Sequence, residues 1–149
     1  MTKKSASAQW QGNLESGSGT VEMQSAPEGN GYSADSRFGQ GQGNSPEELI
    51  AAAHAACFSM ALAHMLAENE LTPQLVATTA TVTIEKDGDG FSITRSDLET
   101  HVHGLGLDQE KLDGYAEKAK TGCPVSKALA GLEISVEATL EDSLLPEDE

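Results

Sequence analysis

The chain has 149 residues, enough for one domain around one core. Only 38% of it is hydrophobic and 4% aromatic, so a protomer that completes a sparse core by dimerising is expected. Against nine Lys and Arg stand 24 Asp and Glu, a formal charge of -15, which argues against a nucleic-acid or anionic-membrane partner because phosphate binding needs clustered cations. No apolar core follows Lys3 and Lys4, and the longest apolar stretch, residues 49–66, is broken by His54, Ser59 and His64; neither a signal peptide nor a membrane span is expected, and the expected compartment is the cytoplasm.

Residues 8–14 and 20–25 read as short strands around Gly17-Ser18-Gly19, a hairpin. Residues 27–36 read as an irregular loop. Ser45-Pro46-Glu47-Glu48 then carries helix-start signals: Ser45 as cap, Pro46 at the first helical position and Glu48 closing a capping box. The helix to about Ala67 is rich in Ala, Leu and Met nearly all round, which implies burial on several sides at the centre of the fold.

Residues 78–86 alternate with Ala80, Val82 and Ile84 on one face, a strand. Asp87-Gly88-Asp89-Gly90 is a hairpin turn, and residues 91–103 form the partner strand, with a change of phase between Ile93 and Leu98 that predicts a bulge. Asp108 caps a helix to about Lys120, with Leu112, Tyr115, Ala116 and Ala119 on one face. Gly122 ends it, Pro124 starts a short helix to Ala130, residues 132–140 form a last strand, and an acidic tail begins at about residue 141. This order predicts an α+β fold with a mainly antiparallel sheet, in a single domain over residues 1–149.

The chemistry centres on two cysteines. A cytosolic chain rarely uses two as a structural disulfide. Cys57, in mid-helix, fits a small buried hydrophobe better than a reactive thiol, since the helix dipole gives no help there and a cation must come from elsewhere. Arg37, one of two arginines, is the candidate. Cys123 precedes Pro124 at a helix start, where backbone N–H groups stabilise a thiolate; a plain capping role fits equally well. Cys57, Cys123, His54 and His64 could in number hold zinc, but only His54 and Cys57 are closely spaced, so no metal is expected. Glu47 and Glu48 lie in the first helical turn, where carboxylates complement the dipole without any catalytic role.

Arg37-Phe38, the stretch from Asn44 through Ser45-Pro46-Glu47-Glu48 to His54-Ala55-Ala56-Cys57-Phe58, and Gly122-Cys123-Pro124-Val125-Ser126 together resemble the two cysteine motifs of the osmotically inducible protein C and organic hydroperoxide resistance (OsmC/Ohr) family. The wording from His54 to Met60 favours the OsmC branch. Gly43-Asn44-Ser45-Pro46-Glu47 departs from the family's usual Gly-Thr-Asn-Pro-Glu, within the helix cap.

The resemblance implies an OsmC-like fold: antiparallel sheets packed around a long central helix and a second, broken helix, in an intertwined homodimer. It implies a peroxidase of organic hydroperoxides without metal, flavin or other cofactor, rereduced by an external dithiol such as a dihydrolipoyl group. It assigns Cys57 as the attacking thiol, Cys123 as the resolving thiol that closes a Cys57–Cys123 disulfide, Arg37 as the activating cation and Glu47 as its support. Ten residues from Cys57, Glu47 lies on another helix face, so it must act through Arg37 or from a neighbouring subunit. Phe38, Phe58 and Met60 are the expected apolar lining of a substrate pocket. The competing reading is a non-enzymatic stress protein that binds a small apolar ligand.

Overall fold

The structure is a computed structural model that describes residues 2–104 and 106–144. Most of the acidic tail expected from about residue 141 lies outside the described residues. The chain gathers into two compact units, Met1–Leu49 and Ile50–Glu149.

The first unit is a three-stranded antiparallel sheet, β1 (Ala6–Gln11), β2 (Ser18–Met23) and β3 (Ala26–Tyr32), in that spatial order. The β1–β2 hairpin is the one expected, but Ser18 and Gly19 already belong to β2, paired with Gln11 and Trp10. Residues 27–36, expected to be irregular, instead supply most of β3 and the first turn of α1 (Ala34–Phe38). Gly29 and Gly31 depress strand propensity, but register with β2 decides: Gly31 pairs with Thr20 and Tyr32 with Gly19. Trp10 and Tyr32 pack across the sheet with ring centroids 5.4 Å apart.

The second unit begins inside α2 (Pro46–Glu68) and continues through β4 (Leu75–Asp87), β5 (Gly90–His103), α3 (Gln109–Gly122), α4 (Pro124–Ala128) and β6 (Glu133–Glu141). The β4–β5 turn falls at Gly88-Asp89, with Asp87 paired to Gly90 and Gly88 at φ 61°, which both primed hairpin types require at the first central residue. The expected bulge is at Thr94: Thr83 pairs with Arg95 and Ile84 with Ile93, leaving Thr94 without a partner residue. The last strand departs from the antiparallel expectation. After α3 and α4 cross back, β6 pairs with β5 in parallel, Leu98 beside Val136.

One stripe of α2 is buried at intervals of four residues: His54, Phe58, Leu62 and Leu66. The three apolar members join Leu98 and Val102 of β5, Leu112, Ala116 and Ala119 of α3 and Ala138 of β6 in one core. Burial on several sides, expected from the all-round apolar sequence, is not what the single chain shows: Ala52, Ala53, Ala56 and Met60 are exposed, Met60 at 74%. With His54, Ser59 and His64 counted in, α2 is still apolar and long enough to cross a membrane by composition alone, at mean hydropathy 1.7, although its buried stripe packs into a protein core.

Candidate active site

Two groups of functional side chains are built, one in each unit. In the first, Ser33 caps α1. Its hydroxyl accepts from Ser36 N–H (3.1 Å), and Ser36 Oγ accepts from Ser33 N–H (2.8 Å). Ser36 Oγ also reaches the Asn44 carbonyl at 2.8 Å, and Asn44 N–H donates to the Gly31 carbonyl at 2.8 Å. Gly43, at φ 122°, permits this approach, since a Cβ there would lie 2.6 Å from the Gly31 oxygen. The chain then enters α2 with Ser45 Oγ accepting from Glu48 N–H at 3.1 Å, the expected cap.

These bonds fix Arg37 and Glu47 against each other. Arg37 Nη2 donates to Glu47 Oε1 at 2.7 Å, while Nε lies 3.0 and 3.2 Å from Oε1 and Oε2. This forked contact suits the planar guanidinium. Glu47 is only 6% exposed, and Arg37 keeps about a third of its side chain in solvent. The guanidinium also lies 5.1 Å above the Phe38 ring. A cleft of about 280 Å³ opens beside Arg37 within this unit, lined by Trp10, Leu14, Tyr32 and Pro46.

In the second unit, Cys57 on α2 and Cys123, between α3 and α4, are both free, with sulfurs 2.9 Å apart. That is hydrogen-bond contact with no covalent link. Cys123 is fully buried and Cys57 half-buried. By position either sulfur could donate to the other. Burial pushes the Cys57 thiol up, and its hydrogen bond with Cys123 and the charge there push the same way, against a single Val125 amide. Burial pushes Cys123 up as well. Hydrogen bonds from Cys57, from the amide and hydroxyl of Ser126 and from the Val125 amide outweigh it, so Cys123 falls below the usual thiol range. The surroundings of Cys123 therefore favour its thiolate more than those of Cys57 do. Among the described residues, the groups that act on the two thiols are each other, the Val125 amide and Ser126.

No local sequence pattern announces what surrounds His54. That residue, considered from the sequence only as a metal ligand, is fully buried between two serines: Nδ1 lies 2.7 Å from Ser96 Oγ and Nε2 2.8 Å from Ser126 Oγ. Burial lowers its pKa, so the ring is neutral. Ser96 and Ser126 are 42 and 72 positions away from it, beyond any local pattern. Among the described residues no three His, Cys, Asp or Glu side chains gather as a metal-holding group.

The expected pocket-lining residues are dispersed. Phe58 is fully buried in the core, Met60 is exposed one helical turn beyond Cys57, and Phe38 underlies Arg37.

An α+β chain with two unlinked, touching thiols and a carboxylate-clamped arginine defines a class of dithiol proteins. The chain belongs to the OsmC-like protein family, whose profile matches residues 39–139, a span that includes Glu47, Cys57 and Cys123 and starts just after Arg37. It is 46% identical over 127 residues to the peroxiredoxin OsmC of Escherichia coli (strain K12), covering 85% of this chain and 89% of that protein. It is 36% identical over 101 residues to the organic hydroperoxide resistance protein of Xanthomonas axonopodis pv. citri (strain 306), covering 67% and 68%. The crystal structure of the organic hydroperoxide resistance protein OhrB of Bacillus subtilis matches with a TM-score of 0.68 at 27% identity, over 92% of this chain and 98% of that one. Family and fold agree with the resemblance read from the two cysteine motifs, and the higher identity to the OsmC protein agrees with the branch read from residues 54–60.

Proposed function

We propose that this protein is a thiol peroxidase that reduces organic hydroperoxides to alcohols, with Cys57 as the attacking and Cys123 as the resolving thiol. The observation that carries the reading is the pair of free sulfurs 2.9 Å apart, of which Cys57 alone has solvent access. Susceptibility to oxidation follows thiolate character and exposure. Exposure favours Cys57; thiolate character, in this unit taken alone, favours Cys123. Exposure decides, because a peroxide cannot reach a fully buried sulfur. Cys57 then needs a cation to become the thiolate, and Arg37, already oriented by Glu47, is assigned that task, in its own chain or a partner's.

With that charge beside it, Cys57 gives its thiol proton to solvent and becomes the thiolate. The Cys57 thiolate attacks the hydroxyl-bearing oxygen of the hydroperoxide. An S–O bond forms, the O–O bond breaks, and the sulfur is oxidised to sulfenic acid. The alkoxide leaves, steadied by the guanidinium, and takes up a proton to become the alcohol. Cys123 then attacks the sulfenic sulfur, an S–S bond forms, and the oxygen leaves as water. An external dithiol reduces the disulfide by exchange. No step calls for a metal or flavin.

The same reading includes a homodimer. Ala52, Ala53, Ala56 and Met60 give α2 an exposed apolar face, which a second copy of the chain would cover.

Titrating free thiols before and after one equivalent of cumene hydroperoxide tests the proposal. Loss of both thiols with formation of a Cys57–Cys123 disulfide supports it. Thiols inert to peroxide, with an apolar molecule bound to the purified protein, would favour the ligand-binding reading instead.

A further inference from the structure

Cys123 sits at the end of a buried polar chain that the family motifs do not explain. Its members are Ser96 on β5, His54 on α2 and Ser126 on α4, each no more than 6% exposed. A neutral imidazole donates through one nitrogen and accepts at the other, so one direction must be chosen. Ser126 decides it. It lies in the first turn of α4, which Cys123 caps, and a hydrogen bond from its side chain is among the interactions that lower that thiol. Having given its only proton to sulfur, Ser126 Oγ must accept from His54 across the 2.8 Å contact, so Nε2 carries the hydrogen. Nδ1 is then an acceptor, and Ser96 Oγ donates to it across 2.7 Å. Every bond points the same way: Ser96 to His54, His54 to Ser126, Ser126 to Cys123. Aligned donors in a low-dielectric interior polarise one another, and the last bond gains most.

We propose that the Ser96–His54–Ser126 chain holds Cys123 as the resolving thiolate, with His54 as a positioning residue acting through Ser126. The proposal rests on the peroxidase reading and adds a part to it. Once Cys57 is a sulfenic acid it no longer exchanges a proton with Cys123 as a thiol partner, and the donor chain takes over the stabilisation of the Cys123 anion. That anion attacks the Cys57 sulfur. The S–S bond forms, the S–O bond breaks, and the leaving hydroxide combines with the proton that Cys123 released, giving water. In the reverse sense, the chain makes Cys123 the better leaving group when an external dithiol attacks the disulfide at Cys57.

The test needs no peroxide in its first arm, so it stands even if the peroxidase reading fails. In full-length protein carrying Cys57→Ser, Cys123 is the only thiol, and ultraviolet thiolate absorbance gives its thiolate-to-thiol ratio at neutral pH without requiring reagent access. Ser126→Ala is expected to lower that ratio about tenfold, as loss of a hydrogen bond to a charged group should. Ser126→Thr, which keeps the hydroxyl, is expected to restore it. His54→Leu is expected to lower it about threefold alone and to add nothing in the Ser126→Ala background, because His54 acts only through Ser126. A merely structural histidine would give additive effects. If His54→Leu does not fold, the Ala and Thr variants at Ser126 decide by themselves. A ratio unchanged by Ser126→Ala, or not restored by Ser126→Thr, overturns the proposal, as do additive effects of the two substitutions. The second arm, with both cysteines present, measures single-turnover disulfide formation after a peroxide pulse. Ser126→Ala should slow that step by more than it changes the rate of sulfenic acid formation. If no sulfenic acid forms in the wild-type protein, the peroxidase reading fails while the first arm still judges the donor chain.

Discussion

Replacing Glu47 by Gln keeps the shape of the side chain and removes its charge. The carboxylate makes three contacts of 2.7 to 3.2 Å with Arg37. The amide can reproduce only the oxygen side and turns N–H groups toward Arg37 Nε–H. A hydrogen bond to a charged partner contributes about 1.5–3 kcal/mol. With about a third of the Arg37 side chain in solvent, water recovers part of this, and the expected loss of stability is about 1–2 kcal/mol. On the proposed mechanism the substitution also slows attack, because a guanidinium released from its clamp would no longer be fixed beside the thiolate and the alkoxide. About tenfold slower attack corresponds to roughly 1.4 kcal/mol of lost transition-state stabilisation. Equilibrium denaturation gives the first quantity, and stopped-flow sulfenic acid formation with cumene hydroperoxide gives the second. Disulfide formation after the attack should keep its wild-type rate, since Cys123 has no part in the clamp. A Glu47→Gln protein that loses stability yet attacks peroxide at full speed would refute the orienting role.

Three further outcomes are expected. Phe58→Ala should cost about 3–5 kcal/mol in denaturant unfolding, because a fully buried aromatic at the centre of the second unit's core leaves a cavity. Ala56→Glu places a charge on the exposed apolar face of α2; on the proposed homodimer, analytical ultracentrifugation should show the parent chain as a dimer and this variant as a monomer. His101 is raised above its usual 6.5 by its hydrogen bonds to Glu141 and Glu99, so its contribution to stability is complete below about pH 6.5 and is lost as pH rises through the folded value. Replacing His101 by Gln should flatten the pH dependence of unfolding in that window, and an unchanged slope would show that the contact is not formed in solution.

Local signals announced what local chemistry decides. Ser45 and Asp108 cap the helices they were expected to cap, Gly88 turns the long hairpin, and the lost phase of β5 marks the bulge at Thr94. Long-range pairing was not legible. Gly29 and Gly31 spoke against a strand until β2 supplied a partner, and nothing within residues 132–140 tells a parallel β6 from an antiparallel one. The all-round apolar α2 implied burial on several sides, yet the chain buries one stripe, because composition does not say which face of a helix meets the core. In the site, the Arg37–Glu47 clamp and the touching thiols appear where the cysteine motifs put them. Phe58 could be read as lining because helix position alone does not say which face meets the core. His54 could be read only as a metal candidate, since both its serines come from distant elements.

The most direct test of the account is a single turnover of cumene hydroperoxide followed by mass spectrometry of the cysteine peptides. The account predicts a Cys57–Cys123 disulfide in the parent chain, a trappable sulfenic acid on Cys57 in Cys123→Ser, and no oxidation in Cys57→Ser. Full turnover by Cys57→Ser, or sulfenic acid found on Cys123 first, would contradict it.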